Sequence, residues 1–381
     1  MAKLAQKIRQ VVPAKIKLGD PDWPLLIIVA VIILFGLIML TSASGTLAYS
    51  RYKDGYYFIK HQIYALFIGA GLFWFFFKTD YHRWQKNAMY LLLTSIAMLL
   101  MVFVPGLASS ANSKAHSWIN IFGFSLQPSE FVKLFFLIYV AAWLESRGKT
   151  IEDFSQGTAP FLVVLAVIAG LMLMQPDVGT LSIIVLTSFV AWFIGGGRLS
   201  HIFGLTLIAA IALLFMFKSA DYRMQRFQCY LNPEKNSRTT CYQLNQSLIA
   251  VGSGGIFGRG FGASRQKLMY LPEVSGDAIF PIIGEEMGFI FSSALVLLFI
   301  GLFYRSYLIA KRAPDQFGRV LAIGIASWLT LQAFINIGGM ISLIPMTGVP
   351  LPFISSGGSA VMAGLSALGL LMNISRQVKT R

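Results

Sequence analysis

Four stretches of this 381-residue chain hold polar side chains at spacings that can do chemistry. In the first, Gln127-Pro128-Ser129-Glu130 runs into Phe131-Val132-Lys133. Glu130 and Lys133 are three apart, so a helix sets them on one face where they can pair. Pro128 suits a helix start, Ser129 a cap, and Glu130 the positive end of the helix dipole. The second stretch, Gln175-Pro176-Asp177-Val178-Gly179, reads as a tight turn whose Asp177 caps the next helix. In the third, Arg223 and Arg226 are again three apart, and two guanidiniums on one side suit a phosphate or diphosphate. Behind them come Gln243, Gln246 and Ser247, the glycine-dense Gly252–Gly260, and Leu271-Pro272-Glu273-Val274-Ser275-Gly276-Asp277. The glycine run is no nucleotide loop, since no Lys-Ser/Thr follows it; it reads as a flexible or close-packed turn against a large ligand. Asp277 either caps the helix that follows it or stands as an isolated acid, and Glu285 and Glu286 read as balancing that helix's dipole. The fourth stretch, Pro345 to Ser359, holds three prolines, three glycines and the pair Ser355-Ser356.

The elements that must position these residues are membrane helices. Apolar residues make up 56% of the chain and charged residues only 12%, half the share of a soluble domain. Mean hydropathy is +0.68. Disorder, collagen, coiled coil and a water-soluble enzyme are excluded. The apolar residues fall in runs at about 25–44, 58–77, 88–104, 131–146, 158–174, 178–196, 201–217, 281–303, 319–343 and 357–374, each near the length that spans a bilayer. We therefore expect an all-α integral membrane protein: one polytopic domain over 1–381, with about ten transmembrane helices. The first run is too long for a cleaved signal peptide and reads as a retained helix. Proline and glycine at membrane depth must lie inside protein, so Pro345–Ser359 is expected to be a re-entrant segment before helix ten, lining an enclosed cavity.

Net charge is +15, from 31 Lys and Arg against 16 Asp and Glu. That excess does not point to nucleic acid, because it collects in short loops, as cytoplasmic loops do. Lys3, Lys7, Arg9, Lys15 and Lys17 precede the first span; Lys78, Arg83, Lys86, Arg147, Lys149, Arg198, Arg305, Lys311 and Arg312 occupy alternate loops; Arg376, Lys379 and Arg381 end the chain. With an even number of spans these all lie in the cytoplasm, together with tails 1–24 and 375–381. The four polar stretches then face outward. Residues 218–280 form a long extracytoplasmic loop between helices seven and eight, roughly sixty residues and thus of functional length. Leu248–Val251 and Ile256-Phe257 within it suggest pieces resting on the outer membrane face. Both cysteines, Cys229 and Cys241, lie there too; an oxidising exterior suits a disulfide, and two unpaired thiols are the alternative.

Thr41-Ser42-Ala43-Ser44, Gln127–Glu130, Gln175–Gly179, Ile249–Gly255, Leu271-Pro272-Glu273 with Asp277, Asn336-Ile337-Gly338 and Pro350–Ser355 together resemble the SEDS family of bacterial shape, elongation, division and sporulation proteins. The resemblance runs in order along nearly the whole chain. Gln332–Gly338 and Ser264–Lys267 look more like its division branch than its elongation branch, while the Cys229–Cys241 stretch stands where the family has an Asp-Pro-rich turn. The resemblance implies a peptidoglycan glycosyltransferase that joins lipid II into glycan strands, beside a class B penicillin-binding protein and other divisome membrane proteins. It matches Asp277 to the family's essential acid, and Glu130 and Lys133 to its polar pair on helix four.

One acid is enough for that reaction. A lipid diphosphate leaves as a stabilised anion, so the second carboxylate of a glycosidase is not needed. Asp277 is the expected base, with Lys133, Arg223 and Arg226 as phosphate partners and Gln246, Ser247, Ser355 and Ser356 as further substrate contacts. No cofactor is required; a divalent cation, Mg²⁺ or Mn²⁺, is compatible with the diphosphate, without a dedicated ligand cage in the sequence. The competing readings are a lipid II flippase and a scaffold that recruits the transpeptidase. Against the first stand the absence of an internal repeat and the crowding of polar residues at one face.

Overall fold

The computed structural model describes residues 19–104, 106, 117–121, 124–198, 200, 201, 204, 221–234 and 239–377. Its helices are α1 (Trp23–Tyr52), α2 (Tyr57–Lys78), α3 (Tyr81–Lys86), α4 (Ala88–Met101), α5 (Pro128–Arg147), α6 (Ala159–Met174), α7 (Val178–Ile194), α8 (Asp221–Leu231), α9 (Tyr242–Gly254), α10 (Ile279–Arg312), α11 (Gln316–Met340) and α12 (Gly358–Arg376). Each apolar run of the sequence carries a helix except 201–217, which apart from His201 and Gly204 lies outside the described residues. The far ends of both expected tails, 1–18 and 378–381, also lie outside them. Among the described residues, six helices are long and apolar enough to cross a membrane: α1, α2, α6 with its lead-in from Phe154, α10, α11 and α12. Short aspartate caps set several starts: Asp22 accepts from Leu25 N at 3.0 Å, Asp177 from Thr180 N at 3.0 Å and Asp315 from Gly318 N at 2.6 Å.

Two helices form the interior. The apolar windows of α11 and α12 are 83% buried, against 17–33% for α1, α2, α6 and α10, whose outer faces are left for lipid. Nearly every residue of α5 from Val132 to Leu144 is buried as well. Close helix approach rests on small residues: a β-carbon at Gly369 of α12 would strike the Phe73 carbonyl of α2, and one at Gly69 would strike Leu365. The two chain ends meet, with Gly19 N on Arg376 O at 2.7 Å, Asp22 N on Ser375 Oγ at 3.1 Å and Arg305 paired to Asp22 at 2.6 Å. First-helix start, last-helix end and the end of α10 thus share one end of the molecule.

Several local expectations are corrected. The fold is not wholly helical: Ile119–Ile121 and Phe124–Leu126 pair as two antiparallel strands just before α5. Their apolar-polar-apolar alternation is the pattern of a strand. Residues 218–280 are not one loop but hold α8 and α9 before an irregular stretch. The glycine run is close-packed, yet against the chain's own backbone. Gly288, at φ 73°, breaks α10, and a β-carbon at Gly258 would collide with the Glu286 carbonyl. Past the break, Phe289 N and Ile290 N find the carbonyls of Gly255 and Ile256, so the loop satisfies the helix.

Glu285 and Glu286 do more than balance a dipole. Glu285 accepts Ser264 Oγ at 2.6 Å and Arg265 N at 3.1 Å, while Glu286 pairs with Lys267 at 2.8 Å and accepts Ser42 Oγ at 2.8 Å. They are buried because they clamp the 258–267 loop onto α10 and α1.

Candidate active site

The irregular segment between α11 and α12 is folded into the protein, as its prolines and glycines demand: Val349, Leu351, Phe353, Ile354 and Ser355 are all buried. Two amides one turn apart on α11 hold it. Gln332 Nε2 donates to Pro350 O at 2.9 Å, and Asn336 Nδ2 to Val349 O at 2.8 Å. The Asn336 amide also reaches Asp277 O at 2.8 Å, so one side chain ties the acid's backbone to that segment. Ser356 completes the junction, its N and Oγ both 2.7 Å from Ser275 O. Across this seam a left-handed turn at Glu273, φ 54°, brings the chain round to Asp277.

Asp277 does not cap α10; the capping position is Ala278, with no side-chain bond. Its carboxylate is half-buried and thinly partnered. Gln243 Nε2 of α9 lies 3.4 Å from Oδ1. Oδ2 looks toward Gly348, where a β-carbon would sit 3.7 Å from it and 3.6 Å from Arg226 Nη1. The guanidinium of Arg226 is exposed and touches Met346 O at 3.4 Å. Burial pushes the Asp277 carboxyl up to about 6, with Arg226 pulling down and Glu273 pushing up. An aspartate raised to that range, beside an open cation, is equipped to take a proton near neutral pH.

The Glu130–Lys133 pair lies beneath, not beside, that acid. Both side chains are buried and 2.9 Å apart. Lys133 Nζ also donates to Gln332 Oε1 at 2.7 Å and sits 4.9 Å over the Trp328 ring; Trp328 donates to the same oxygen at 2.9 Å. Lys133, expected as a phosphate partner, is thus enclosed and committed to holding Gln332 against Pro350. Its neighbour Asp177 caps α7 as expected and also accepts Gln127 Nε2 at 3.0 Å and Ser129 Oγ at 3.3 Å. That clasp joins the starts of α5 and α7.

The other expected contacts divide. Arg223 lies on α8 one turn from Arg226, its side chain outside the described residues. Ser247 is fully buried and donates to Gln243 O at 2.8 Å within α9, a fit between helices with no open hydroxyl. Ser355 Oγ accepts Leu351 N at 2.9 Å and its carbonyl accepts Gln62 Nε2 at 3.0 Å, so it shapes the turn. Ser356 ties the two loops, as above. Gln246 is half-buried on α9, and Gln243, one turn before it, is the residue that reaches Asp277. Cys229 and Cys241 form a disulfide. Gln243, Gln332 and Asn336 were not among the expected site residues. For the last two the signal is a pair of amides four apart, with only Ala333, Phe334 and Ile335 between them. Among the described residues, no three of His, Cys, Asp and Glu gather closely enough to hold a metal ion.

A polytopic helical membrane protein with a lone, raised aspartate beside an arginine at one end of the bundle is the class these features define. Comparisons with known proteins narrow it. The family profile described as cell cycle protein, covering FtsW, RodA and SpoVE, matches residues 22–380, and the chain belongs to that family. It is 40% identical over 360 residues to stage V sporulation protein E of Bacillus subtilis, covering 94% of this chain and 98% of that one. It is 37% identical over 359 residues to a probable peptidoglycan glycosyltransferase FtsW of Geobacter metallireducens, covering 94% and 95%. Among solved structures, the rod shape determining protein RodA of Thermus thermophilus superposes with a TM-score of 0.69 at 26% identity, covering 95% and 98%. A chain from a peptidoglycan synthase complex that coordinates polymerization and crosslinking gives 0.74 at 25% identity, covering 93% and 98%.

Proposed function

We propose that this protein polymerises lipid II into glycan strands at the outer face of the bacterial cytoplasmic membrane, in a complex with a class B penicillin-binding protein. FtsW relatives named as glycosyltransferases, and the synthase complex, support the activity and the partner. Short loops rich in Lys and Arg support cytoplasmic termini, with the site at the opposite face. Relatives of the FtsW and SpoVE kind, at 37–40% identity, support a role in division or sporulation.

The observation that carries the mechanism is the state of Asp277: half-buried, capping nothing, and raised to about 6. The carboxylate takes the proton of the acceptor sugar hydroxyl as that oxygen attacks the anomeric carbon of the donor. The bond from that carbon to the diphosphate oxygen breaks, and the electron pair leaves with the polyprenyl diphosphate. Arg226, with Arg223 on the same helix, balances the charge that grows there. Glu130, Lys133 and Gln332 act one layer down, keeping the 349–350 backbone in place.

The test is polymerisation of labelled lipid II by the purified full chain, alone and with its transpeptidase partner, with and without added Mg²⁺ or Mn²⁺. Wild type should make polymer, and Asp277→Ala should fold yet make none. Full activity in Asp277→Ala would refute the assignment. Polymer that depends on added metal would give the diphosphate a second counter-charge besides Arg226.

A further inference from the structure

Helices α8 and α9 share an apolar cluster separate from the main core, although α9 also packs against α10, its Gly254 meeting the Gly284 carbonyl. The cluster is Cys229, Cys241 and Leu244, with Leu248 and Met346 against it. The reaction proposed above uses no sulfur, yet the disulfide lies at the root of the two side chains that steady the Asp277 charge, Arg226 and Gln243, while Glu273, on the acid's own turn, opposes it. Arg226 precedes Cys229 by three residues, one turn along the same face of α8. Gln243 follows Cys241 by two, in the first turn of α9. Met346, which rests on the disulfide, offers its carbonyl to Arg226 at 3.4 Å. Two residues further on, Gly348 has Arg226 on one side and Asp277 on the other.

We infer that the Cys229–Cys241 disulfide is a positioning element of the site: it locks α8 to α9 so that the Arg226 guanidinium and the Gln243 amide converge on Asp277, and so sets the grip on the diphosphate of the donor. This rests on the polymerase reading above. The physical reason is loop closure. The bond spans a sequence separation of 12 and brings the two α-carbons to 5.3 Å, removing the freedom with which α8 would swing about its connection to α9. Other ties cross the same region, among them Asn245 Nδ2 to Pro233 O at 2.6 Å and the 3.4 Å Arg226 bond itself. They leave the reduced chain loosened rather than unfolded. Among the described residues, the exposed Arg226 guanidinium makes one hydrogen bond, the 3.4 Å contact with Met346 O.

The experiment compares the purified full chain, oxidised and after reduction with a phosphine, and the Cys229→Ala/Cys241→Ala double variant. Each is assayed for polymerisation of labelled lipid II across pH and substrate concentration, with thiol alkylation and mass spectrometry reporting the bond. Reduction and the double variant should each raise KM severalfold and lower kcat/KM by up to about tenfold, no more than removal of Arg226 itself. The acid limb of the pH profile should move to higher pH as Arg226 drifts from Asp277. In an Arg226→Gln background, reduction should add little, because the two changes act through one group. A fall in melting temperature with KM and acid limb unmoved would make the bond a mere staple and overturn the inference. So would full activity in an unreduced chain whose two thiols alkylate. Failure of the oxidised wild type to polymerise would instead overturn the reading of the site, and the inference with it.

Discussion

Asp277 and Asp315 each stand at the foot of a long helix, at opposite ends of the bundle, and the structure treats them in opposite ways. Asp315 is the cap of α11, accepting Gly318 N at 2.6 Å, the Tyr81 hydroxyl and His82 Nε2 at 3.2 Å. Burial works against its charge, but those bonds outweigh it, and its carboxyl is held below the ordinary 3.8. His82, which also meets Asp80 at 2.8 Å, is raised: burial disfavours its proton, and the two aspartates more than restore it. Around this cluster Asn373 of the last helix and Gln377, just past its end, close the end of the bundle. Among the described residues Asp277 has only the open Arg226, its own backbone N–H and one amide at 3.4 Å to set against burial and Glu273, so burial dominates and the carboxyl rises to about 6. The saturated acid is a structural staple; the under-partnered one is available for a proton. Partner supply, more than depth of burial, holds one carboxyl low and leaves the other raised.

The strongest way to break this contrast is to exchange the two effects. Asp277→Asn should cut lipid II polymerisation by at least about 10²- to 10⁴-fold while leaving the melting temperature level or higher at neutral pH, because it removes a desolvated charge. A large loss of stability in that variant would class Asp277 with Asp315. Next in size is Lys133→Met. It strands the buried Glu130 and should cost about 3–5 kcal/mol in denaturant or thermal unfolding, whereas Glu130→Gln with Lys133→Met together should recover much of it.

Asp315→Ala should cost about 1–3 kcal/mol of stability through the lost cap and the orphaned Tyr81 and His82. Specific activity of the folded fraction should hold within a few fold. The signs of the pH effects differ as well. Asp315, depressed, contributes stability that is full above 3.8 and is lost as pH falls further through its folded value. Asp277, raised, opposes folding at neutral pH and ceases to as pH drops from about 6 toward 3.8. As the base must be ionised, kcat/KM should rise with pH through an acid limb near 6. The smallest effect is expected from Arg226→Gln, which should weaken donor binding about tenfold and carry that limb to higher pH. A limb that stays put would mean that Arg226 does not act on Asp277.

How far the sequence carries can be judged from single residues. Pro128 and the i, i+3 pairing of Glu130 with Lys133 were readable, since both follow from local helix geometry. So was the Asp177 cap. What Lys133 faces was not: its contacts with Gln332 and Trp328 come from a helix some 200 positions away. Ser355 and Ser356 looked like open hydroxyls, and the fold turned both inward to close loops. Gln243 and Gln246 are equivalent in the string of residues; only the approach of α9 to the Asp277 turn chooses Gln243. The break at Gly288 could not be foreseen either, because the loop that satisfies it lies some thirty residues earlier in the chain.

Legible in the residue string are the membrane-helical class, the approximate course of most helices, the helix start at Pro128, the Asp177 cap and the burial of the proline- and glycine-rich segment. These follow from hydropathy, helix-end chemistry and the strict need to satisfy backbone groups away from water. Which polar groups meet is set by the packing of elements: Asp277 goes short of partners among the described residues, Arg226 faces it across Gly348, and Lys133 is sealed beneath. Partner supply depends on contacts between distant segments, and no local pattern records it.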